Sequence, residues 1–329
     1  MSRISTLGFS LVFALSASVG CGDDGTGPGG EIDAAPTPDG PAMPDGAPGM
    51  DGPAPDGLTP DAPPQFNGHL LISEVTLTNA NAEFIEIYNP GTQAVALGNY
   101  YLSDDHEYWL LPAVFSQLDP VTQPRPAINP DFDFIVKFPD NATIAPGEAQ
   151  VMALDYTLFE GQYGFSPHYA IYQAPGEDSA MVDPSGASGV ILVGITPNLT
   201  NQGESIILFT WDGASDLVAD VDMVNAGTGL TGPNSIQSKN GELVDGPDAD
   251  DVQSGFAPES AAAMELDGSA AAGFSHKRIA LEEGHEIQNG DSNGITGDDE
   301  LSEDFSQTWD LAANYDAPTP GQVPASLMP

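Results

Sequence analysis

From about Gly68 onward the apolar residues come in short runs rich in Val, Ile, Leu, Phe and Tyr, each closed by Gly, Pro, Asn or Asp. An amphipathic helix needs apolar positions repeated every 3.6 residues over several turns, and this chain hardly ever sustains that period. The runs are "HLLISEVTL", "EFIEIYNP", "VALGNYYLSD", "EAQVMALD", "GVILVGI", "ESIILFTW" and "LVADVDMV". Such spacing predicts an all-β sandwich, with polar Glu83 and Glu86 flanking Phe84, Ile85 and Ile87, and Val218, Val221 and Val224 marking another strand. Helix is expected only in "DYTLFEGQYG" and in "PESAAAMELD" near 258–267. The Pro-rich 119–130 and the Gly/Asp/Ser-rich 228–258 read as long loops.

Residues 21–66 have another texture. Gly, Pro, Asp and Ala dominate, and large apolar residues are nearly absent, so no core can offset the entropy lost on ordering. The tract is expected to be a disordered linker; in polyproline-II geometry, at about 3.1 Å per residue, it reaches on the order of 100 Å. Ahead of it, Arg3, an apolar stretch and small residues form the three parts of a secretory signal at 1–20. Ser18-Val19-Gly20-Cys21 resembles the lipobox of bacterial lipoproteins, departing from it at Ser18, where Leu is usual. That resemblance implies lipid on Cys21, the only cysteine, and membrane attachment through it. Several acyl chains give a stable anchor where one binds reversibly. Gly22 rather than Asp follows the cysteine, and resemblance to enterobacterial lipoprotein sorting signals implies outer-membrane or cell-surface residence.

Six Lys and Arg against 49 Asp and Glu give a formal charge of −43. That excess argues against nucleic acid as a partner, because a grip on phosphates needs clustered cations. A single cysteine leaves neither an intramolecular disulfide nor a Cys-rich zinc site.

The blocks "ISEV" at 72–75, "EFIEIYN" at 83–89, "VAL" at 95–97 and "YLSD" at 101–104 resemble the bacterial lamin tail domain. "TIAPGEAQVMAL", "NLTNQGESIILFTWDG", "GFSHKR" and "APTPGQ" continue the likeness in order through 322. The resemblance implies an immunoglobulin-like β-sandwich over 67–322; the chain departs from it by long loop insertions at 113–142, 155–200 and 228–272, and a short tail follows at 323–329. On a strand, residues three apart face opposite sides, so Glu83 and Glu86 are expected to be structural rather than a catalytic pair. Asn89 is expected to bond nearby backbone in the "YNPG" turn.

For metal, "NGDSNGITGDDE" at 289–300 has the spacing of a calcium loop, with Asn289, Asp291, Asn293 and Glu300 as oxygen ligands and Gly294 at the sharp turn. Its first position carries Asn where Asp is usual. "DGPDADD" places Asp245, Asp248, Asp250 and Asp251 in a second acidic tract. The histidines at 69, 106, 168, 276 and 285 match no zinc spacing, and the nucleophile-elbow and phosphate-loop motifs are missing. Trp109, Trp211 and Trp309 are expected to pack in or near the core. Together these readings favour a non-catalytic, lipid-anchored envelope protein displaying its sandwich to envelope protein or polysaccharide, without a firm cofactor. The alternative is a calcium-assisted envelope hydrolase with its site in the insertions.

Overall fold

The computed structural model describes residues 69–329 apart from 78–81, 187, 200–202, 228–238, 261–265, 267–274, 285, 289, 311–316, 324 and 329. The signal, Cys21 and the linker lie outside the described residues. One sheet joins β1 (Leu71–Thr76), β2 (Phe84–Tyr88), β7 (Ala149–Asp155), β8 (Tyr169–Tyr172) and β13 (His276–Lys277) in the order β13-β1-β2-β7-β8. The other is ordered β10-β9-β4-β5 from β4 (Tyr100–Ser103), β5 (Ile135–Lys137), β9 (Gly203–Thr210) and β10 (Ala219–Gly227). Short two-stranded pairs join β3 (Val95–Ala96) to β6 (Thr143–Ile144), β11 (Leu243–Val244) to β12 (Ser254–Gly255), and β14 (Ile287–Gln288) to β15 (Asp298–Asp299). Every pairing within the two large sheets is antiparallel except β7 with β8.

Ile72, Ile85, Ile87, Met152 and Leu154 from the first sheet meet Leu102, Val136, Ile206, Leu208 and Val224 from the second in one buried core. That is the sandwich interior. Both outer faces are covered as well, so all five residues of β2 are buried. Over the first sheet, Phe84 packs edge-on against Phe159 of α2 (Tyr156–Tyr163), and Tyr88 packs against Leu327. Residues of the expected tail thus belong to the body. Over the second sheet, Tyr101, Ile207 and Phe209 pack under Tyr108 to Leu111, α1 (Leu111–Phe115), Leu192, Val244 and Phe256. Described residues of the insertions at 113–142 and 228–272, Val244 and Phe256 among them, thus join a second apolar layer where the sequence suggested plain loops.

Helix α2 forms where expected. Asp155 caps it by accepting from Leu158 N, and Gly164 ends it at φ 78, a backbone state that favours glycine. Two sequence expectations change. "GVILVGI" is not a strand: Gly194 sits so close to Phe132 that a Cβ would lie 2.7 Å from its amide nitrogen, and Val193 makes a single bridge to Phe134. Of "PESAAAMELD", residues 261–265 lie outside the described residues, and Leu266 is extended, bridging Ala226 in parallel.

Two bulges decide where the charged residues go. In β1 the register shifts between Ile72, paired with Ile87, and Glu74, paired with Glu86. In β10 it shifts between Asp220, paired with Phe209, and Asp222, paired with Leu208. Regular strand residues two apart share a face, whereas a bulge sends them to opposite faces. Ile72 thus enters the sandwich interior and Glu74 the outer face. Asp220 enters the outer layer with Phe209, and Asp222 the interior with Leu208.

Candidate functional site

The motif carboxylates form a clasp. On the outer face of the first sheet, Glu74 Oε1 accepts from Thr319 N at 2.9 Å and from Ser275 Oγ at 2.5 Å, while Oε2 accepts from Thr319 Oγ1 at 3.2 Å. Its cross-strand neighbour Glu86 accepts from Ser73 Oγ at 2.8 Å and from Gly321 N at 2.6 Å. Glu83 turns elsewhere and accepts from Leu199 N at 3.0 Å. Glu83 and Glu86 form no pair, as expected; the juxtaposed carboxylates are Glu74 and Glu86. Burial raises the pKa of Glu74, and it lifts Glu83 and Glu86 to about 7, with Glu74 adding to the rise at Glu86. Asn89 closes its turn: Oδ1 accepts from Gly91 N at 3.0 Å, and Nδ2 donates to Gln93 O at 2.8 Å and Ile144 O at 3.2 Å.

Among the described residues two cations, Arg278 and Lys239, are fully buried. Arg278, just after β13, donates from Nη2 to both Asp222 oxygens at 2.8 and 2.9 Å and from Nη1 to Glu303 Oε1 at 2.9 Å. Its Nε donates to Ile72 O at 3.0 Å, and its guanidinium lies 5.2 Å from the Trp309 ring centre. Asp222 also accepts from Ile72 N at 2.5 Å, so this ion pair ties one bulged strand to the other across the sandwich. Burial opposes the charge of Arg278, but Asp222 and Glu303 prevail and raise its pKa. In the outer layer Lys239 contacts Asp220, Glu259 Oε1 at 3.0 Å and Tyr108 OH at 2.9 Å. Sequence reasoning missed both networks. Their signal was scarcity: among so few cations, "HKR" inside a β-rich segment was informative.

Of the 289–300 segment, residues 290–297 lie in the turn of the β14–β15 hairpin and Asp298–Asp299 form β15; among the described residues it is not flanked by the two helices of an EF-hand. Asn289 lies outside the described residues. Asp291 is exposed. The Asn293 side chain is committed to a neighbouring loop: Oδ1 accepts from Ala257 N at 2.8 Å, and Nδ2 donates to Ala257 O at 3.0 Å and Glu259 Oε1 at 2.7 Å. Glu300 turns inward. Its carboxylate joins those of Asp222 and Glu283, one oxygen from each lying within 4.8 Å of the others. Glu286 stands beside them: burial first, then Glu283, lifts its pKa to about 9. Burial also lifts Glu283 to about 8 and raises Glu300 well above the carboxylate range. Of the second acidic tract, Asp245 and Asp248 meet Asp216 in a similar grouping. Asp250 instead accepts from Val252 N at 2.9 Å.

His69 Nε2 lies 2.8 Å from Glu283 Oε1, and His168 Nδ1 accepts from Val151 N at 3.1 Å. His285 lies outside the described residues. Trp109, Trp211 and Trp309 are all buried. Exposed rings occur elsewhere: Phe132 and Tyr172, 42% and 50% exposed, line a groove of about 350 Å³ with Asp155, Leu158, Thr196 and Asn198. Among the described residues no helix is long and apolar enough to cross a membrane.

A two-sheet β-sandwich of this kind defines a β-rich structural domain. The Lamin Tail Domain family model matches residues 63–227, and the chain belongs to that family. The match spans β1 to β10; β13, which extends the first sheet, lies beyond it. Among solved structures, the chain is similar to a DUF4876 family protein from Bacteroides thetaiotaomicron, with 14% identity, 80% of this chain and 74% of that one covered, and a TM-score of 0.37. No curated protein matches the chain at a significant level.

Proposed function

We propose that this lamin-tail protein is a non-catalytic envelope module, held at a membrane by lipid on Cys21, that binds a neutral polysaccharide in the groove at Phe132 and Tyr172. The observation that carries the reading is that pair of exposed rings beside polar Thr196 and Asn198. Sugar rings present apolar faces and hydroxyl edges, which aromatic rings and short polar side chains match respectively. A formal charge of −43 repels acidic polymers and so favours a neutral one. The motif carboxylates support a structural role, because Glu74, Glu83 and Glu86 each hold a backbone amide of a distant segment. The lipobox resemblance supports the anchor, and the Gly/Pro/Asp-rich composition of 21–66 suits a tether.

The test measures binding of the mature protein to immobilised neutral polysaccharides, acidic polysaccharides and envelope proteins. Neutral polymer is the expected ligand, and Phe132→Ala with Tyr172→Ala is expected to weaken binding about tenfold. Unchanged binding by that variant, or binding to envelope protein alone, rejects the groove. Turnover of the polymer would favour the calcium-assisted hydrolase instead. For the anchor, Cys21→Ser is expected to release the protein from membranes, and an unmodified Cys21 in the mass spectrum of the membrane form rejects it.

A further inference from the structure

The carboxylates of Asp222, Glu283, Glu286, Glu300 and Glu303 converge beside one buried arginine. Arg278 is matched to two of them, Asp222 and Glu303; Glu283 and Glu300 each bring an oxygen within 4.8 Å of Asp222, and Glu286 stands beside them, bonded through its side chain to Glu283. Glu283 shares one oxygen with His69, which burial biases toward its neutral form. Grouping alone does not make a site. The independent observation is Glu300: it is 3% exposed, its carboxylate points into this group, and its Oε1 has no hydrogen-bond partner among the described residues. Glu286 Oε1 is likewise buried and unpartnered among them. The unpartnered Glu300 oxygen is buried among carboxylates in a dry interior, and a cation would satisfy it in the ionised form that the cation itself stabilises.

We propose that Glu283, Glu286 and Glu300 bind a divalent cation, with Asp222 as the wall behind them, and that calcium is the ion the site takes. The donors among the described residues are all carboxylate oxygens, the hard set that suits calcium. Glu286 is half-buried at the rim and opens the path by which the ion enters. Glu283 and Glu286 precede β14 and Glu300 follows β15, so the ion clamps both ends of the hairpin onto β10. The site shares Glu300 with the calcium loop read from the sequence. Its other ligands differ, and Asp291 and Asn293 have no part in it.

The test is calcium titration of the EDTA-stripped full chain, read as Tm and as terbium luminescence sensitised through Trp309. Saturating calcium is expected to raise Tm by about 5 °C at a hundredfold excess over Kd. Glu286→Gln and Glu300→Gln should remove both responses while leaving the calcium-free Tm equal to or above wild type, because each relieves repulsion. That second reading separates a lost site from a lost fold. Asp291→Ala should keep both responses. A wild type indifferent to calcium overturns the proposal, as does a response that survives Glu286→Gln but vanishes in Asp291→Ala.

Discussion

Arg278→Met should be among the most destabilising single changes in the body. Methionine keeps much of the apolar stem against Trp309 but deletes the bidentate contact to Asp222, the contact to Glu303 and the bond to Ile72 O. Asp222 retains only the amides of Ile72 and Met223, at 2.5 and 2.7 Å, inside the sandwich. Leaving a buried charge uncompensated costs about 3–5 kcal/mol. For a body of this size that lowers Tm by roughly 10 °C. The assay is thermal unfolding followed by circular dichroism with EDTA present, so that cation binding beside Asp222 does not enter. A triple variant adding Asp222→Asn and Glu303→Gln should recover about half the loss, since the stranded charges are gone and one carboxamide oxygen still accepts a backbone amide. A single variant within 3 °C of wild type, or a triple variant no better than the single, would refute the reasoning.

The clasp makes a pH prediction. Glu86 is raised by burial to about 7, so its contribution is fully present below the ordinary glutamate range, where it is neutral folded or unfolded, and is lost as pH rises through about 7. The Tm of wild type minus that of Glu86→Gln should therefore fall between pH 5 and pH 8, and a constant difference would sink the claim. Gly246→Ala should lower stability by about 1–3 kcal/mol, because a Cβ there would lie 2.5 Å from Ser215 O and push apart the loop held by Gly246 N to Asp216. An unchanged melting curve would show that the close approach is wrong.

The strands with strong β character were legible: β1, β2, β4 and β7 lie within the runs read from the sequence, and β9 and β10 overlap theirs, starting at Gly203 and running on to Gly227 respectively. So was the Asp155-capped helix, because capping and glycine termination are local. What stayed hidden depends on the bulges. Val221 and Val224 both reach the interior although three residues apart, a spacing that an unbroken alternation does not produce. That break placed Asp220 and Asp222 in different layers, and with them Lys239 and Arg278. Strand β5 escaped notice because "FIVKF" follows a Pro-rich stretch that reads as loop. The calcium spacing was real as letters, but a hairpin turns Glu300 inward while Asp291 stays exposed. Cofacial carboxylates from separate segments, such as Glu283 and Glu300, leave no local pattern.

Glu74 and Glu86 meet their backbone donors at Thr319 and Gly321, 245 and 235 positions further along the chain. A polypeptide made from its N-terminus therefore carries two open carboxylates in its first hairpin until residues 319–321 have been added. The first sheet cannot finish its outer face earlier, however well its strands pair. The clasp acts as a latch that closes last. A chain stalled before it holds an exposed, charged sheet, a form suited to capture by chaperones and to removal by proteases, so only completed molecules persist.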